Sequence, residues 1–289
     1  MNDMELITYT DAAAFLRLAR APLEREEAIH NVMLGVALRL VGNPAFYGGE
    51  PAYLATVSEG EGLVAAALMT PPHNLLVYGA GVPDRCGAAL GLIARDLQRS
   101  GRRVPGVLGP APYSRFFAEA WCVAAGRSFR PGMRHRVYEL REVLPVPVSP
   151  GALRVAGEAD LPLLARWLAQ FVVDAHMEDR PPDKKETAQR LIADGDAFLW
   201  QDGQPVSLAA RSRRLPHGIA VGPVYTPAAL RGRGYATSCV AALSRRLLAD
   251  GWEYCCLHAD LANPTSTSIY QKIGYRPLCE FEEYILDRE

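Results

Sequence analysis

Apolar residues recur at helical spacing in two stretches near the start of the chain. The second stretch carries a stripe from Ile29 to Leu40, and Pro22 is predicted to open that helix because proline suits the first helical position. Short β-prone runs bounded by glycine, proline and asparagine follow, and they predict strands. The elements predicted for the first half are a strand at 6–8, a helix capped by Asp11, the Pro22 helix, strands at 53–57, 62–69 and 74–78, a helix over 84–99, a strand near 107, a helix over 114–124 and strands near 129 and 137.

The second half repeats this order of elements. Its predicted elements are a strand at 153–155, helices over 160–173 and 184–193, strands at 197–200, 205–211 and 218–225, a helix from 235 that ends at Gly251, a strand at 254–258, a helix from Asn263 to Gly274, and strands over 275–286. We therefore predict an internal structural duplication. Residue identity between the halves is slight, so an unrelated α+β first domain is the alternative.

A proline-rich stretch separates the two halves. Residues 142–151 contain Pro145, Pro147 and Pro150. Such a stretch is stiff and extended, and it pairs poorly with neighbouring strands. We interpret it as a linker, which predicts one domain over residues 1–144 and another over 151–289.

The residues from Val224 to Ala236 predict an anion-binding turn. A β-prone run ends at Thr226-Pro227, and a short turn with two glycines leads into the next predicted helix. Glycines let the backbone approach a ligand closely, and the first N–H groups of a helix have no partner within the helix. Arg231 and Arg233 add positive charge to that helix start. The expected ligand is a phosphate or a pyrophosphate.

The spacing of this turn resembles a known family signature. Arg231-x-x-Gly234-x-Ala236 is similar to the Arg/Gln-x-x-Gly-x-Gly/Ala loop with which the GNAT acyltransferase superfamily binds the pyrophosphate of acetyl-coenzyme A (acetyl-CoA). Downstream, the segment from Asn263 to Tyr275 resembles the second signature of the superfamily, Asn-x-x-Ser-x-x-x-Tyr-x-x-x-Gly-aromatic. Both signatures lie within residues 151–289. The resemblance implies an α+β fold of two tandem GNAT-like domains, each a central mixed, mostly antiparallel twisted sheet flanked by helices.

The resemblance also implies a cofactor site. Gly222-Pro223 interrupts a predicted strand, and a central strand tolerates proline only at a bulge or where pairing is broken. In the superfamily the fourth and fifth strands splay apart there and the pantetheine arm lies in the gap; a bulge without a ligand is the alternative. The residues at cofactor-binding positions are Val224, Tyr225, Thr226, Arg231, Gly232, Arg233, Gly234, Tyr235, Ala236, Thr237, Asn263, Ser266 and Tyr270.

Two side chains are candidates for proton transfer. By resemblance, the Tyr270 hydroxyl faces the cofactor sulfur and protonates the departing thiolate, although Ile269, Tyr270 and Ile273 also fit an apolar core stripe. His258, at the end of a predicted strand, is a candidate general base, and a structural role is its alternative. Asn263 has a simpler role as a helix cap, and Ser266 as a partner of a backbone group.

An acidic patch lies between the first two helices of the second half. It consists of Asp174, His176, Glu178 and Asp179, where related proteins build the acceptor pocket. Such a patch would attract a cationic amine, but a solvated run of charges is the default interpretation.

The first half lacks these signatures. Residues 80–87 do not have the Arg-x-x-Gly-x-Ala spacing, and Asp84 near the helix start would repel phosphate. The last helix of this half is entered through residues 109–113, with no counterpart of Asn263. We therefore expect one working site in each chain.

Composition limits the partners. The 31 basic and 32 acidic residues leave a formal charge of −1, which argues against nucleic acid and membrane surfaces, and no zinc or other metal spacing involves the six cysteines. The sequence predicts a soluble cytoplasmic protein. It has no signal-peptide pattern and no apolar run long enough to span a membrane, and its cysteines are expected to be buried free thiols. The expected partner is a small-molecule or peptide amine, and a homodimer is a candidate assembly.

The preferred interpretation is an N-acetyltransferase that uses acetyl-CoA and direct attack of an amine on the thioester. A dinucleotide-binding oxidoreductase fits less well, because Thr237 stands at the third glycine position and residues 226–230 separate the strand from the glycines. A non-catalytic acyl-CoA-binding sensor or scaffold is the other alternative, and the first half that lacks the motifs favours it. Asn263 and Tyr270 beside the loop argue against it.

Overall fold

The computed structural model describes residues 4–48, 50–126, 128–175 and 183–286. These residues form twelve strands and eight helices. In chain order they are β1 (Met4–Tyr9), α1 (Ala12–Glu24), α2 (Asn31–Gly42), β2 (Tyr53–Glu59), β3 (Gly62–Met69), β4 (Leu75–Gly79), α3 (Pro83–Arg99), β5 (Gly106–Pro110), α4 (Tyr113–Ala125), β6 (Phe129–Leu140), β7 (Ala152–Val155), α5 (Leu161–Asp174), α6 (Lys184–Ala193), β8 (Ala197–Asp202), β9 (Gln204–Arg214), β10 (Gly218–Tyr225), α7 (Tyr235–Ala249), β11 (Tyr254–Asp260), α8 (Pro264–Ile273) and β12 (Arg276–Leu286).

The chain divides into two compact units. The first unit runs up to Val137 and also contains residues 260–262 and the segment from Leu278 on, whereas the second contains Tyr138–Ala259 and Asn263–Pro277. The units differ from the predicted sequence domains, 1–144 and 151–289, mainly because the last strand belongs to the first unit. The sequence domains themselves stay a prediction.

The first unit contains a mixed, mostly antiparallel sheet. Its strands follow the order β1-β2-β3-β4-β5-β12-β6, in which β4 and β5 are parallel. Strand β12 pairs antiparallel with β5, from Phe281 opposite Pro110 to Ile285 opposite Gly106. The C-terminal strand therefore supplies a central strand of the first unit, and its Tyr284 and Leu286 lie in that unit's hydrophobic core.

The second unit has the same kind of sheet. Its strands follow the order β11-β10-β9-β8-β7, with β10 and β11 parallel and the pairs from β10 to β7 antiparallel. Successive residues of β8 point to opposite faces: Phe198 and Trp200 join one core cluster, whereas Ala197 and Leu199 join another. Helices α7 and α8 contribute to the first cluster, and α5 and α6 to the second. Both faces of the strand are covered, which explains its nearly continuous apolar sequence.

Most helix ends follow the predicted signals. Asp11 caps α1 by accepting a hydrogen bond from the N–H of Ala14 at 2.8 Å, and Asn263 caps α8 through the N–H of Ser266 at 3.1 Å. Gly274 ends α8 in a left-handed conformation. The prediction for Pro22 is wrong, because Pro22 lies in the last turn of α1 and α2 begins only at Asn31. Pro22 donates no helix hydrogen bond, and only two residues of α1 follow it.

The proline-rich stretch is an ordered part of the second unit. The N–H of Leu144 donates to the carbonyl of Ile273 at 2.8 Å, and the Trp200 indole donates to the carbonyl of Pro150 at 2.9 Å. The side chains of Val143 and Val146 pack against the cluster formed with α7 and α8. Residues 143–149 have no regular secondary structure, and the segment contacts the unit at both of its ends.

The cysteine side chains form no disulfide bonds. All six cysteines are free, and Cys86, Cys239, Cys255 and Cys256 are buried. Within the described ranges, no group of three or more histidine, cysteine or acidic side chains is arranged to hold a metal ion. No helix in the same ranges has the length and apolar character needed to cross a membrane.

Candidate functional site

Strands β10 and β11 diverge at the predicted interruption. Their parallel pairing covers only Gly218–Ala220 opposite Tyr254–Cys256. On the other side of β10, the register with β9 shifts between Val221 and Val224, so that two residues of β10 lie opposite one residue of β9. This is a β-bulge centred on Gly222-Pro223, and it leaves the last part of β10 outside the ladder with β11.

The turn after β10 exposes its backbone. Arg231, Gly232, Arg233 and Gly234 are all exposed, and both glycines adopt the left-handed conformation, with φ of 77° and 79°. Gly234 occupies the N-cap position of α7, and no described side chain caps that helix. The first N–H groups of α7 therefore point toward an exposed, positively charged turn without a side-chain acceptor.

Arg231 points toward the end of α5. Its guanidinium forms an ion pair with Asp174, the last residue of α5, and its Nε donates to the carbonyl of Thr226 at 3.0 Å. It also lies 6.0 Å from the ring centre of Tyr225. Asp174 is thus engaged by Arg231, while His176, Glu178 and Asp179, the rest of the predicted acidic patch, lie outside the described residues.

The end of β10 is held from several sides. The Tyr225 hydroxyl donates to Gln170 on α5 at 3.1 Å, and the Thr226 hydroxyl pairs with Ser207 on β9 at 2.9 Å. Val224 is half-buried and packs against the cluster of α7 and α8. The side chains of Tyr225 and Thr226 are therefore committed to structure, and the backbone of β10 is the part that faces the divergence from β11.

Two side chains anchor the turn from behind. Tyr235, the first residue of α7, is buried and donates its hydroxyl hydrogen bond to Asp202 at 2.7 Å. Ser149 in the proline-rich segment donates from its hydroxyl to the carbonyl of Arg233 at 2.8 Å. Sequence reasoning missed Asp202 and Ser149, because no local pattern links either residue to the turn.

Ala236 and Thr237 follow in the first turn of α7 and are half-buried.

Tyr270 is buried on the inner face of α8. It is 8% exposed, belongs to the same cluster as Leu257 and Ala259 of β11, and meets Tyr275 edge-on at 5.9 Å between ring centres. Burial raises the pKa of Tyr270 to about 12, so its hydroxyl stays protonated at neutral pH. Asn263 acts as a cap, and the Ser266 N–H is the group that it satisfies.

His258 lies near the end of β11 and is half-buried. Asp260, the last residue of β11, accepts a hydrogen bond from the N–H of Ala262 at 2.9 Å and so stabilises the turn after the strand. The role of His258 as a base stays a prediction.

Comparison with known proteins identifies similar folds. Residues 199–285 match the model of the family described as FR47-like protein. A GCN5-related N-acetyltransferase from Sphaerobacter thermophilus superposes with a TM-score of 0.62 at 17% identity, covering 96% of this chain and 94% of that one. A GNAT-family acetyltransferase from Colwellia psychrerythraea gives 0.59 at 12% identity, covering 98% and 100%. A tandem GNAT protein from the clavulanic acid biosynthesis pathway gives 0.56 at 13%, covering 98% of each chain. No match is found among the curated proteins.

The fold is that of the GNAT acyltransferase superfamily. Within this fold, the β10–β11 ladder ends at Ala220 and Cys256, and the Arg231–Ala236 turn follows β10. The prediction of the fold class, a mixed and mostly antiparallel sheet flanked by helices, is confirmed.

The residues around the turn fit an acyl-CoA. Exposed N–H groups, two left-handed glycines and two arginines suit a pyrophosphate, and a Cβ atom placed on Gly234 would lie 2.7 Å from the Ser149 hydroxyl. Any larger residue at 234 would disturb the turn. The gap between β10 and β11 offers unpaired strand backbone to the amide groups of a pantetheine arm.

Proposed function

We propose that this protein is an acetyl-CoA-dependent N-acetyltransferase whose site lies in the second unit. One observation carries the proposal. The β10–β11 ladder ends partway along β10, and the same strand leads into an exposed turn with two glycines at the start of α7, where no side chain caps the helix. Val224, Tyr225 and Thr226 would offer backbone to the pantetheine arm. The turn and the first residues of α7, from Arg231 to Thr237, would hold the pyrophosphate.

The chemistry would be direct transfer. The acceptor nitrogen forms a bond to the thioester carbonyl carbon, the carbon–sulfur bond breaks, the amine loses a proton and the sulfur gains one. Backbone donors at the diverging strands would stabilise the oxyanion, and the Tyr270 hydroxyl would donate to the departing sulfur. His258 would accept the amine proton, directly or through water.

Release of the coenzyme A thiol in the presence of a panel of amines tests this function. The panel should include small diamines, aminoglycosides, peptides with free N-termini and lysine side chains. Amine-dependent thiol release supports the proposal. Tight binding of coenzyme A without turnover on any amine would instead support an acyl-CoA sensor or scaffold, and failure to bind coenzyme A would refute both.

The first unit differs at the corresponding positions. Asp84 lies in the first turn of α3, whose first residue is Pro83 and therefore lacks an N–H donor. The parallel pairing of β4 with β5 covers only Leu75 and Leu76 of β4. Beyond it the ring of Tyr113 presses on Gly79, since a Cβ atom at Gly79 would lie 2.7 Å from the ring. A pantetheine arm laid along β4 at Gly79 would meet this ring.

We therefore expect one acyl-CoA per chain. Calorimetric titration of the full chain with coenzyme A should saturate at one equivalent, and the Gly234→Glu variant should bind none. The full chain is required because a fragment of residues 1–145 would lack β12, a central strand of the first unit. Two equivalents for the wild-type chain and one for the variant would place a second site in the first unit.

A further inference from the structure

The proline-rich segment contacts the candidate pyrophosphate loop at one residue. Ser149 donates from its hydroxyl to the Arg233 carbonyl at 2.8 Å, and its own N–H donates to the hydroxyl of Ser238 at 2.8 Å. Ser238 is 2% exposed and lies in the first turns of α7, where its N–H bonds to the Gly234 carbonyl at 3.0 Å. Ser149 is therefore fixed by a buried group and holds the loop at one carbonyl.

That carbonyl sets the direction of the neighbouring donor. The peptide between Arg233 and Gly234 is trans, so its C=O and N–H point in opposite directions. Because the Arg233 oxygen is aimed at Ser149, the Gly234 N–H is aimed away from the segment and toward the exposed side of the turn. The left-handed φ of 79° at Gly234 fixes the start of α7 relative to that peptide.

Packing restricts the loop at the same point. A Cβ atom at Gly234 would lie 2.7 Å from the Ser149 hydroxyl, so the glycine and the serine are in close contact. On both sides the segment is held to the unit, by the Leu144–Ile273 hydrogen bond and by the Trp200–Pro150 hydrogen bond. Ser149 therefore occupies a fixed position from which a hydroxyl can orient the loop.

We propose that Ser149 is a positioning residue for the pyrophosphate loop: it orients the Arg233–Gly234 peptide so that the Gly234 N–H faces the pyrophosphate of the acyl-CoA. This inference rests on the proposed function. It assigns to the segment between the two halves a part in selecting coenzyme A thioesters over thioesters that lack the pyrophosphate.

Ser149→Ala tests the assignment. The variant should weaken coenzyme A binding by about 3- to 10-fold in calorimetry, the effect of one oriented hydrogen bond. The KM for acetyl-CoA should rise by a similar factor with kcat unchanged, whereas the KM for S-acetyl-pantetheine, which has no pyrophosphate, should stay constant. Ser149→Thr keeps the hydroxyl and should restore most of the affinity.

Ser100→Ala is the matched control. Ser100 donates from its hydroxyl to the Leu97 carbonyl at 2.7 Å at the end of α3 in the first unit, so its removal deletes the same kind of hydrogen bond away from the loop. It should change neither KM value. Equal coenzyme A affinity in wild type and Ser149→Ala would overturn the assignment. Equal losses for both thioesters, with a larger drop in melting temperature than Ser100→Ala shows, would also overturn it. Failure of the wild-type protein to bind coenzyme A would refute the proposed function, and with it this inference.

Discussion

Gly234→Glu is expected to abolish measurable binding of acetyl-CoA while the protein remains folded. The substitution places a carboxylate at the N-terminus of α7, where the helix start and Arg231 and Arg233 otherwise favour an anion. It also puts a side chain on a residue with φ of 79°, 2.7 Å from the Ser149 hydroxyl. Calorimetry with acetyl-CoA, together with a thermal melt, measures both consequences.

Two further variants separate charge from backbone strain. Gly234→Ala introduces the strain and displaces Ser149 but adds no charge, so it should lose only part of the affinity. Gly81→Glu makes the same exchange at a glycine with φ of 94° and open space around it, in the first unit just before α3. It should leave acetyl-CoA binding intact. Unchanged affinity in Gly234→Glu would refute the assignment of the loop.

Local signals predicted most of the second unit. The Asn263 cap, the Gly274 terminus and the Gly222-Pro223 bulge each depend on residues adjacent in sequence, because caps, left-handed glycines and bulges are set by local backbone geometry. The position of the turn before α7 followed from the same reasoning. The positive φ at Gly234 is the physical reason that the motif needs glycine there.

Contacts between residues far apart in the chain could not be predicted from the sequence. Strand β12 was predicted as part of the second domain. Its alternation of apolar and polar residues does not determine which strand it pairs with, and in the structure it pairs with β5. In the structure Asn74 donates to buried Glu283 of β12 at 2.6 Å, a contact over 209 residues. Ser149 and Asp202 reach the loop in the same way, through chain segments that meet only after folding.

Tyr270→Phe is expected to lower kcat by about 10²–10³-fold, the range for losing one positioned donor to developing negative charge. Phenylalanine keeps the ring within the cluster and its edge-on contact with Tyr275, so the change removes only the hydroxyl. The KM for acetyl-CoA should barely move, because the hydroxyl would act mainly in the transition state.

The raised pKa of Tyr270 determines whether its hydroxyl transfers a proton or donates a hydrogen bond. With a pKa of about 12, the phenol remains neutral over the whole working range, and the pH–rate profile should show no limb from its ionisation below about pH 11. A thiol has a pKa of about 8.5, so complete proton transfer from the phenol to a free thiolate is uphill. We therefore expect the hydroxyl to act as a hydrogen-bond donor that stabilises the sulfur as negative charge develops on it.

Tyr275→Phe is the control for a hydroxyl that serves only the core. The Tyr275 side chain is 2% exposed and its hydroxyl pairs with the buried Ser244 at 2.9 Å. Its loss should cost about 1–3 kcal/mol of stability, because the Ser244 hydroxyl is left without that partner, and kcat should be nearly normal. Tyr270→Phe should show the opposite pattern, a large loss of kcat with little change in melting temperature. If Tyr270→Phe instead behaves like Tyr275→Phe, then Tyr270 is a core residue, and water or another group donates to the sulfur.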